Sequence, residues 1–241
     1  MIVRGNMIDA PDIQILNRDC MEYMQSLPDG AFDLALCDPP YGIGKEWKKK
    51  EHARRRGARR EKFIDTTYAN EKPQAKYFEE VQRIAKKWII WGYNYFTDLM
   101  PPTNYLICWD KCCADNFIVK YSQFELAGTN IRYPARVFRH KWDGACMGSE
   151  HGNKKIHPHQ KPVALYKWLL MHYAERGYRI LDTHLGSASI ALACWELGFD
   201  LVGCEIDVDY YNLACARLKA HKQQMTLTLD AHIGGGQADV G

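Results

Sequence analysis

The sequence predicts an α/β fold in which a mostly parallel sheet carries helices on both faces, and two observations support this prediction. Short apolar runs such as FDLALCD (32–38) are nearly continuous, as is typical of parallel strands buried on both faces. From Pro162 onward, such runs alternate with segments whose apolar residues recur at helical spacing. This strand–helix–strand–helix order is the βαβ pattern of a doubly wound sheet.

The predicted elements are spread along most of the chain. Apolar runs bounded by turn residues predict strands at IQILNRD (13–19), FDLALCD (32–38), KWIIWGY (87–93), NYLICWDK (104–111), RYPARVFRH (132–140), RILDT (179–183) and DLVGCEI (200–206). Helical spacing predicts helices around 21–27, 73–85, 162–173, 190–197 and 211–218. Two of these helices begin at Pro73 and Pro162, because proline lacks the N–H that a first helical turn leaves unpaired.

Length and composition indicate a single domain. The chain has 241 residues, of which 46% are hydrophobic and 25% charged, as in ordinary globular proteins. We expect this domain to span 1–222, with an insertion at 112–156 and a disordered tail at 223–241. No apolar run approaches the roughly 18 residues that cross a membrane, and the first residues lack the apolar core of a signal peptide. We therefore expect a cytoplasmic protein without membrane contact.

The cysteine and histidine patterns predict no metal site. Nine cysteines are scattered along the chain without a C-x-x-C pair, which favours free thiols in a reducing compartment. His157 and His159 alone would make an incomplete site. Cys37, next to Asp38, lies inside an apolar run and is interpreted as a small apolar core residue.

Positive charge is concentrated in one segment. Residues 45–62 contain ten Lys or Arg and three Glu, although the whole chain has a net charge of only +3. The segment shows no apolar periodicity, so we expect a mobile loop there. Its charge suits contact with nucleic-acid phosphates, and a merely solvated loop is the alternative.

The tetrapeptide DPPY (38–41) directly follows a predicted buried strand and suits the chemistry of a base amine. Such an amine is a weak nucleophile because its lone pair is conjugated into the ring. The Asp38 carboxylate and the Pro39 carbonyl can accept both N–H groups and aim the lone pair at a methyl group. Pro39 and Pro40 hold these acceptors rigidly, since each ring fixes φ, and Tyr41 offers a flat face to a flipped-out base. An ordinary strand-ending turn is the alternative.

Residues 179–205 suit a nucleoside cofactor. They place a glycine-containing loop between a strand and a helix, and Glu205 at the end of the next strand. Glu205 follows Asp182 by 23 residues, close to the roughly 20 that bring an acid to a ribose diol. The loop THLGSAS (183–189) has one glycine, so it lacks the close backbone approach that a pyrophosphate needs. A cofactor without phosphates, such as S-adenosylmethionine, fits better.

Five segments together resemble the motifs of the β class of DNA amino-methyltransferases. LALCDPPYG resembles their catalytic motif, in which DPPY favours adenine and SPPY favours cytosine N4. LDTHLGSAS resembles their D-P-F-x-G-S-G-T cofactor loop, and GCEIDVDYYNLACARL resembles the strand and helix that follow it. LNRDCMEYMQSLP resembles the segment whose acid approaches the cofactor's adenine, and HPHQKP the segment before a helix that flanks the cofactor. The catalytic motif precedes the cofactor loop, which is the β-class order.

The resemblance implies a Rossmann-like, S-adenosylmethionine-dependent methyltransferase fold with a seven-stranded type of sheet, and methyl transfer to N6 of adenine in DNA. The implied catalytic residues are Asp38, Pro39, Pro40 and Tyr41. The implied cofactor-binding residues are Asp19, Cys20, Asp38, Lys161, Asp182, Leu185, Gly186, Ser187, Ser189, Glu205 and Ile206. The cofactor loop departs from the family pattern, with Thr183, His184, Ala188 and Ser189 in place of Pro, Phe, Gly and Thr. Ala188 adds a methyl group where the backbone is expected to approach the cofactor.

The expected partner is double-stranded DNA, in a bacterial or phage-infected cell. The basic loop and the insertion at 112–156, interpreted as a target-recognition region, are expected to contact it through Lys48, Lys49, Lys50, Arg54, Arg55, Arg56, Arg59, Arg60, Arg136 and Arg139. A second copy of the chain and an associated restriction endonuclease are further partners to consider. The alternative functions are a cytosine-N4 methyltransferase on the same scaffold and a catalytically silent DNA-binding partner. An RNA or protein amide methyltransferase is disfavoured by Asp38, since that group more often carries NPPY.

Overall fold

A computed structural model describes residues 10–43, 71–112, 122–142, 150 and 155–234, with only the backbone described from 227 onward. Eight strands in this part of the chain form one sheet. They are β1 (Ile13–Leu16), β2 (Phe32–Cys37), β3 (Ala85–Trp91), β4 (Leu106–Asp110), β5 (Phe124–Thr129), β6 (Arg136–Arg139), β7 (Arg179–Asp182) and β8 (Asp200–Cys204). The helices are α1 (Cys20–Gln25), α2 (Ala75–Ile84), α3 (Val163–Tyr173), α4 (Ser189–Leu197) and α5 (Val208–Gly234), with a short 3-10 helix at Tyr93–Tyr95.

The strand order across the sheet is β1-β8-β7-β2-β3-β5-β4-β6. Neighbouring strands are parallel except where β5 pairs, since β5 runs antiparallel to both β3 and β4. The fold is therefore α/β with a mostly parallel sheet flanked by helices, and the predicted fold class is confirmed. The sheet has one strand more than the seven predicted, because the segment FELAGT forms β5 inside it.

The central strand β2 is apolar throughout because helices cover both of its faces. Leu34 and Leu36 belong to the core layer beneath α3 and α4. Ala35 and Cys37 belong to the opposite layer, beneath α1 and α2. A strand enclosed in this way needs a continuous apolar run rather than an alternating one. Cys37 is fully buried here, as its interpretation as a core residue requires.

Helix α2 shows the amphipathic pattern that a single covered face requires. Its buried side chains are Tyr77, Phe78, Val81 and Ile84, which lie within one helical stripe. No helix in the described part of the chain is both long and apolar enough to span a bilayer.

Two predicted segments contribute regular structure in their described parts. The segment 112–156, predicted as a target-recognition insertion, contains β5 and β6, which pair with β3 and β4. The glutamate and glycine of FELAGT hide β5, since neither residue favours a strand. Within the predicted tail 223–241, α5 continues as far as Gly234, and 235–241 lie outside the described residues. Its Gln, Met, Leu and Ala residues are good helix formers.

Candidate active site

The predicted site residues lie at one edge of the sheet. Asp38 follows β2, Thr183 follows β7, and Glu205 follows β8. These strands are parallel, so their carboxyl ends share an edge, which is where α/β sheets bind ligands. Asp19, which follows β1, lies at the same edge, because β1 is parallel to β8.

The predicted catalytic loop (38–41) is tied together through the two carboxylate oxygens of Asp38. The Tyr41 hydroxyl donates a hydrogen bond to Oδ1 at 2.7 Å. The Lys161 ammonium donates to Oδ2 at 2.5 Å, although only 6% of this lysine side chain is exposed. The resemblance assigned Lys161 to the cofactor, and the structure places it on the catalytic carboxylate. Pro39 is buried directly beside this contact.

A second carboxylate that sequence reasoning missed completes this group. Glu125 of β5 forms an ion pair with Lys161 at 3.0 Å through Oε2, and accepts a hydrogen bond from Lys111 at 2.9 Å through Oε1. Burial raises the pKa of Glu125, but the two lysines more than offset this and hold it at about 2. Burial likewise disfavours the charged form of Lys161, yet Asp38 and Glu125 raise its pKa above the ordinary value. We call Asp38, Tyr41, Lys111, Glu125 and Lys161 the lysine–carboxylate cluster.

The direction of β5 explains why Glu125 was missed. Because β5 is antiparallel to its neighbours, its first residues rather than its last lie at the carboxyl edge of the parallel strands. Lys111 could have been found, since it directly follows β4, whose end lies at the same edge. Glu125 required knowledge of the pairing.

Tyr41 is held by aromatic neighbours. Its ring stacks on Tyr95, with centroids 5.1 Å apart and planes inclined by 15°, and it meets the edge of Phe96. Gly92 has a φ of +72°, and a Cβ there would lie 2.2 Å from the Tyr41 ring. One face of the ring is therefore already covered by Tyr95, which leaves the predicted stacking on a base to the other face.

Two predicted cofactor acids make backbone contacts that leave acceptor capacity. Glu205 accepts from the Gly186 N–H at 2.8 Å through Oε2 and from the Asp207 N–H at 3.0 Å through Oε1. A carboxylate can accept about four hydrogen bonds, so Glu205 retains room for a ribose diol. Asp19 caps α1 by accepting from the Met21 N–H at 2.8 Å through Oδ1. Beside them, Ile206 is an exposed apolar side chain (55%) that can contact a flat ring.

Asp182 is the most deeply buried acid of the site, with 1% of its surface exposed. Its Oδ1 accepts a hydrogen bond from the His184 N–H at 3.0 Å. Burial raises the pKa of Asp182 to about 7, and the charges of Asp38 and Glu205 act in the same direction. Asp182 ends β7, which lies between β2 and β8 in the sheet, so it stands between Asp38 and Glu205.

The cofactor loop contains two left-handed residues. Gly186 has a φ of +52°, and the non-glycine residue Ala188 has a φ of +59° at the N-cap of α4. A Cβ at Gly186 would lie 3.4 Å from the His157 ring, so His157 of the HPHQKP segment lies beside this loop. Ala188 is fully buried. Its methyl group therefore lies inside the protein, and the left-handed conformation costs it roughly 1–2 kcal/mol.

Other predicted cofactor residues direct their side chains into the protein. Ser187 and Ser189 are buried, and Arg217 of α5 donates to the Ser187 carbonyl at 2.8 Å and to Ser189 Oγ at 2.9 Å. Leu185 packs against β8, where a Cβ at Gly203 would lie 2.6 Å from its Cδ1. Contact of these three residues with a cofactor would have to use their backbone. Cys20 is half-buried, and burial raises the pKa of its thiol.

Thr183 and His184, which stand where the family pattern has Pro and Phe, form a hydrogen-bonded chain with Tyr77 of α2. The Tyr77 hydroxyl lies 2.6 Å from Thr183 Oγ1, which lies 2.9 Å from His184 Nδ1. Burial lowers the pKa of His184 to about 4, so its ring is neutral near pH 7. The polar replacements are thus satisfied within the protein.

The predicted DNA contacts divide into two groups. The lysines and arginines between 48 and 60 lie outside the described residues. Arg136 and Arg139 lie on the edge strand β6. Successive side chains of a strand point to alternate faces of the sheet, and these two residues are three positions apart. Their side chains therefore lie on opposite faces and do not form one basic patch. Trp142, which follows β6, belongs to the core, and its Nε1 donates to the Gln160 carbonyl at 3.1 Å.

Comparison with known proteins identifies the relatives of this chain. The family described as DNA methylase, which comprises the N6 and N4 enzymes, matches residues 63–216. Type II methyltransferase M.HpaI of Haemophilus parainfluenzae is 24% identical over 238 residues, covering 86% of this chain and 74% of that protein. M.ScaI of Streptomyces caespitosus is 23% identical over 260 residues, covering 90% of this chain and 84% of that protein.

Solved structures share the fold at lower identity. The M1.HpyAVI–SAM complex superposes with a TM-score of 0.53 at 19% identity, covering 86% of this chain and 98% of that chain. The cytosine-N4-specific PvuII DNA methyltransferase superposes with a TM-score of 0.55 at 12% identity, covering 86% of each chain. The sheet and its flanking helices are therefore the fold of S-adenosylmethionine-dependent DNA methyltransferases.

Proposed function

Because this chain belongs to the DNA methylase family of N6 and N4 enzymes, we propose that it methylates N6 of adenine at a specific sequence in double-stranded DNA. The observation that carries the proposal is DPPY (38–41) at the carboxyl end of β2, with both Asp38 oxygens directed at donors. A base amine that enters this loop can replace one of those donors. The aspartate, where a cytosine-specific motif has serine, favours adenine.

S-adenosylmethionine is the methyl donor of this family, and when bound it supplies an electrophilic methyl group on a sulfonium. The chain's own residues fit such a cofactor. Glu205 retains acceptors for the ribose diol, and the exposed side chain of Ile206 suits the adenine ring. Asp19, at the start of α1, keeps an oxygen beyond the one that caps the helix.

The catalytic loop orients the amine. Asp38 and the Pro39 carbonyl accept its two N–H groups, so that the nitrogen lone pair points away from them and toward the methyl group. When the amine takes the methyl group, the carbon–sulfur bond of the sulfonium would break to leave a neutral thioether, and the amine would lose one proton, for which the Asp38 carboxylate is the adjacent acceptor. Tyr41 stacks on the flipped-out base with the ring face that does not contact Tyr95.

DNA phosphates are the proposed partner of the basic segment 45–62. It carries ten Lys or Arg and three Glu and follows DPPY directly, where the DNA must pass for a base to reach Tyr41. Phosphate contacts of this kind position a protein on DNA without reading its sequence.

Nucleoside mass spectrometry of DNA treated with the purified protein and S-adenosylmethionine tests the proposal. We expect N6-methyladenine, and Asp38→Ala should retain less than about a tenth of the wild-type rate, a loss above 1.4 kcal/mol. Glu175→Ala is the matched control, because this exposed carboxylate pairs with Lys87 near the opposite edge of the sheet. N4-methylcytosine as the product would contradict the base assignment. Absence of S-adenosylmethionine binding would instead indicate a silent DNA-binding protein.

A further inference from the structure

The lysine–carboxylate cluster balances two buried negative charges against two positive ones. Lys161 Nζ contacts Asp38 Oδ2 at 2.5 Å and Glu125 Oε2 at 3.0 Å, and lies 3.4 Å from the Tyr41 hydroxyl. Lys111 holds the other oxygen of Glu125 at 2.9 Å. All four charged side chains are largely buried, so each charge needs a partner within the cluster.

In this arrangement both oxygens of Asp38 are already bound, although the proposed mechanism needs one of them for the base amine. A base amine needs an oxygen of Asp38 as its acceptor, and in this structure Lys161 and Tyr41 occupy one oxygen each. If Lys161 had no second carboxylate, releasing Asp38 would leave a buried ammonium unpaired, which is strongly unfavourable. Glu125 removes this obstacle because it remains bound to Lys161 when the amine takes over Asp38.

We propose that Glu125 is a positioning residue that retains Lys161 while Asp38 turns from the lysine to the base amine. The inference rests on the proposed amine methylation and adds a residue to it. Glu125 acts through Lys161 and does not itself touch the base. Lys111 supports it by fixing Glu125 from the other side.

Glu125→Gln in the full chain tests this role, because it keeps the shape of the side chain and removes the charge. We expect kcat for DNA methylation to fall by about 10- to 100-fold, the range that misplacement of a catalytic group produces. The Kd for S-adenosylmethionine should stay within about twofold, since the ribose acceptor Glu205 lies on another strand. Glu125→Asp, which restores the charge, should recover kcat to within about fivefold of wild type.

Glu196→Gln is the matched control. Glu196 is exposed to nearly the same extent as Glu125 (21% against 23%) and also has two basic neighbours, Lys167 and His221. It belongs to α4 and takes no part in the cluster, so its variant should keep wild-type kcat. If the loss of any half-buried carboxylate lowers activity, kcat will fall equally in both variants, and this result would overturn the proposal.

The pH dependence of kcat separates positioning from a structural role. Removing Glu125 takes away an anion that favours the charged form of Lys161, so the alkaline limb of the profile should move to lower pH in Glu125→Gln. The titratable groups that act on or face Lys161 are Asp38 and Tyr41 after β2, Lys111 after β4, Glu125 of β5, Asp182 of β7, Tyr166 of α3, and His157 and His159 of its own segment. An unshifted limb, or a kcat equal to the control's, refutes the role of Glu125.

Two further outcomes are decisive. If Glu125→Gln does not fold, Lys111→Gln is measured instead. Lys111→Gln should lower kcat and leave the Kd for S-adenosylmethionine unchanged. An unchanged kcat in this variant refutes the proposal. If the wild-type protein methylates no amine in DNA, the proposed function fails and this inference fails with it. Wild-type methylation with an unaffected Glu125→Gln refutes the inference alone.

Discussion

Asp182→Asn should change the pH dependence of stability more than any exposed substitution. The pKa of Asp182 is raised by burial from 3.8 to about 7. Between these two values the folded protein holds a proton that the unfolded chain releases, so the folded state loses relative stability as the pH rises through this window. Asparagine carries no such proton and keeps the acceptor for the His184 N–H. The stability of the variant therefore does not fall through this ionisation.

The size of the effect follows from the linkage relation. One unit of pKa difference corresponds to about 1.4 kcal/mol. From about pH 5 to about pH 7.5, the ionisation of Asp182 should remove roughly 2–3 kcal/mol from the free energy of unfolding. Over that interval, the free energy of unfolding of Asp182→Asn should rise by this amount relative to that of the wild type.

Urea denaturation of the cofactor-free protein at about pH 5 and about pH 7.5 measures the difference. Asp98→Asn is the control, because Asp98 pairs with Lys72 and its pKa is lowered from 3.8 by that hydrogen bond. Asp98 is therefore ionised in the folded and unfolded chain across the whole interval. If the free energies of unfolding of wild type and Asp182→Asn differ by the same amount at both pH values, Asp182 titrates like an exposed acid. The argument from burial would then be wrong.

Three other predictions concern the site. Gly92→Ala places a methyl group at a positive φ and within 2.2 Å of the Tyr41 ring; we expect at least roughly 1–2 kcal/mol of lost stability in thermal unfolding and a lower kcat. Glu205→Ala removes the acceptor of the Gly186 N–H and of the ribose diol, so calorimetry should show S-adenosylmethionine affinity weaker by roughly 1.5–3 kcal/mol. An unchanged affinity would mean that the loop has been misread. Replacing the arginines at 54–56 with alanine should flatten the log–log salt dependence of DNA binding by up to about 3, measured by filter binding. A loss confined to the specific site would show instead that they read bases.

The positions of Asp38 and Glu205 at one edge of the sheet could be predicted from sequence, because each residue is part of a contiguous segment. Asp38 follows an apolar run that can only be a buried strand, and Glu205 follows another. Parallel strands bring such termini to one edge, so local pattern and topology agree.

The lysine–carboxylate cluster could not be predicted in full, because it depends on which strands pair. FELAGT has no apolar alternation that marks it as the antiparallel strand β5, and nothing local indicates that its Glu125 would meet Lys161. The opposite faces of Arg136 and Arg139 were accessible to sequence reasoning, since strand geometry alone separates them. Grouping them by charge overlooked this alternation.

The pairing of the first strand with the last has a consequence for biosynthesis. Ile13 of β1 pairs with Leu201 of β8, so this edge of the sheet cannot form before the chain has been translated beyond residue 201. Contacts of such high sequence separation form slowly, and ribosomal synthesis proceeds from the N-terminal end. Asp19 and Glu205 come to the same edge of the sheet only when this pair forms. A nascent polypeptide that ends before β8 therefore cannot bring these two predicted cofactor acids together.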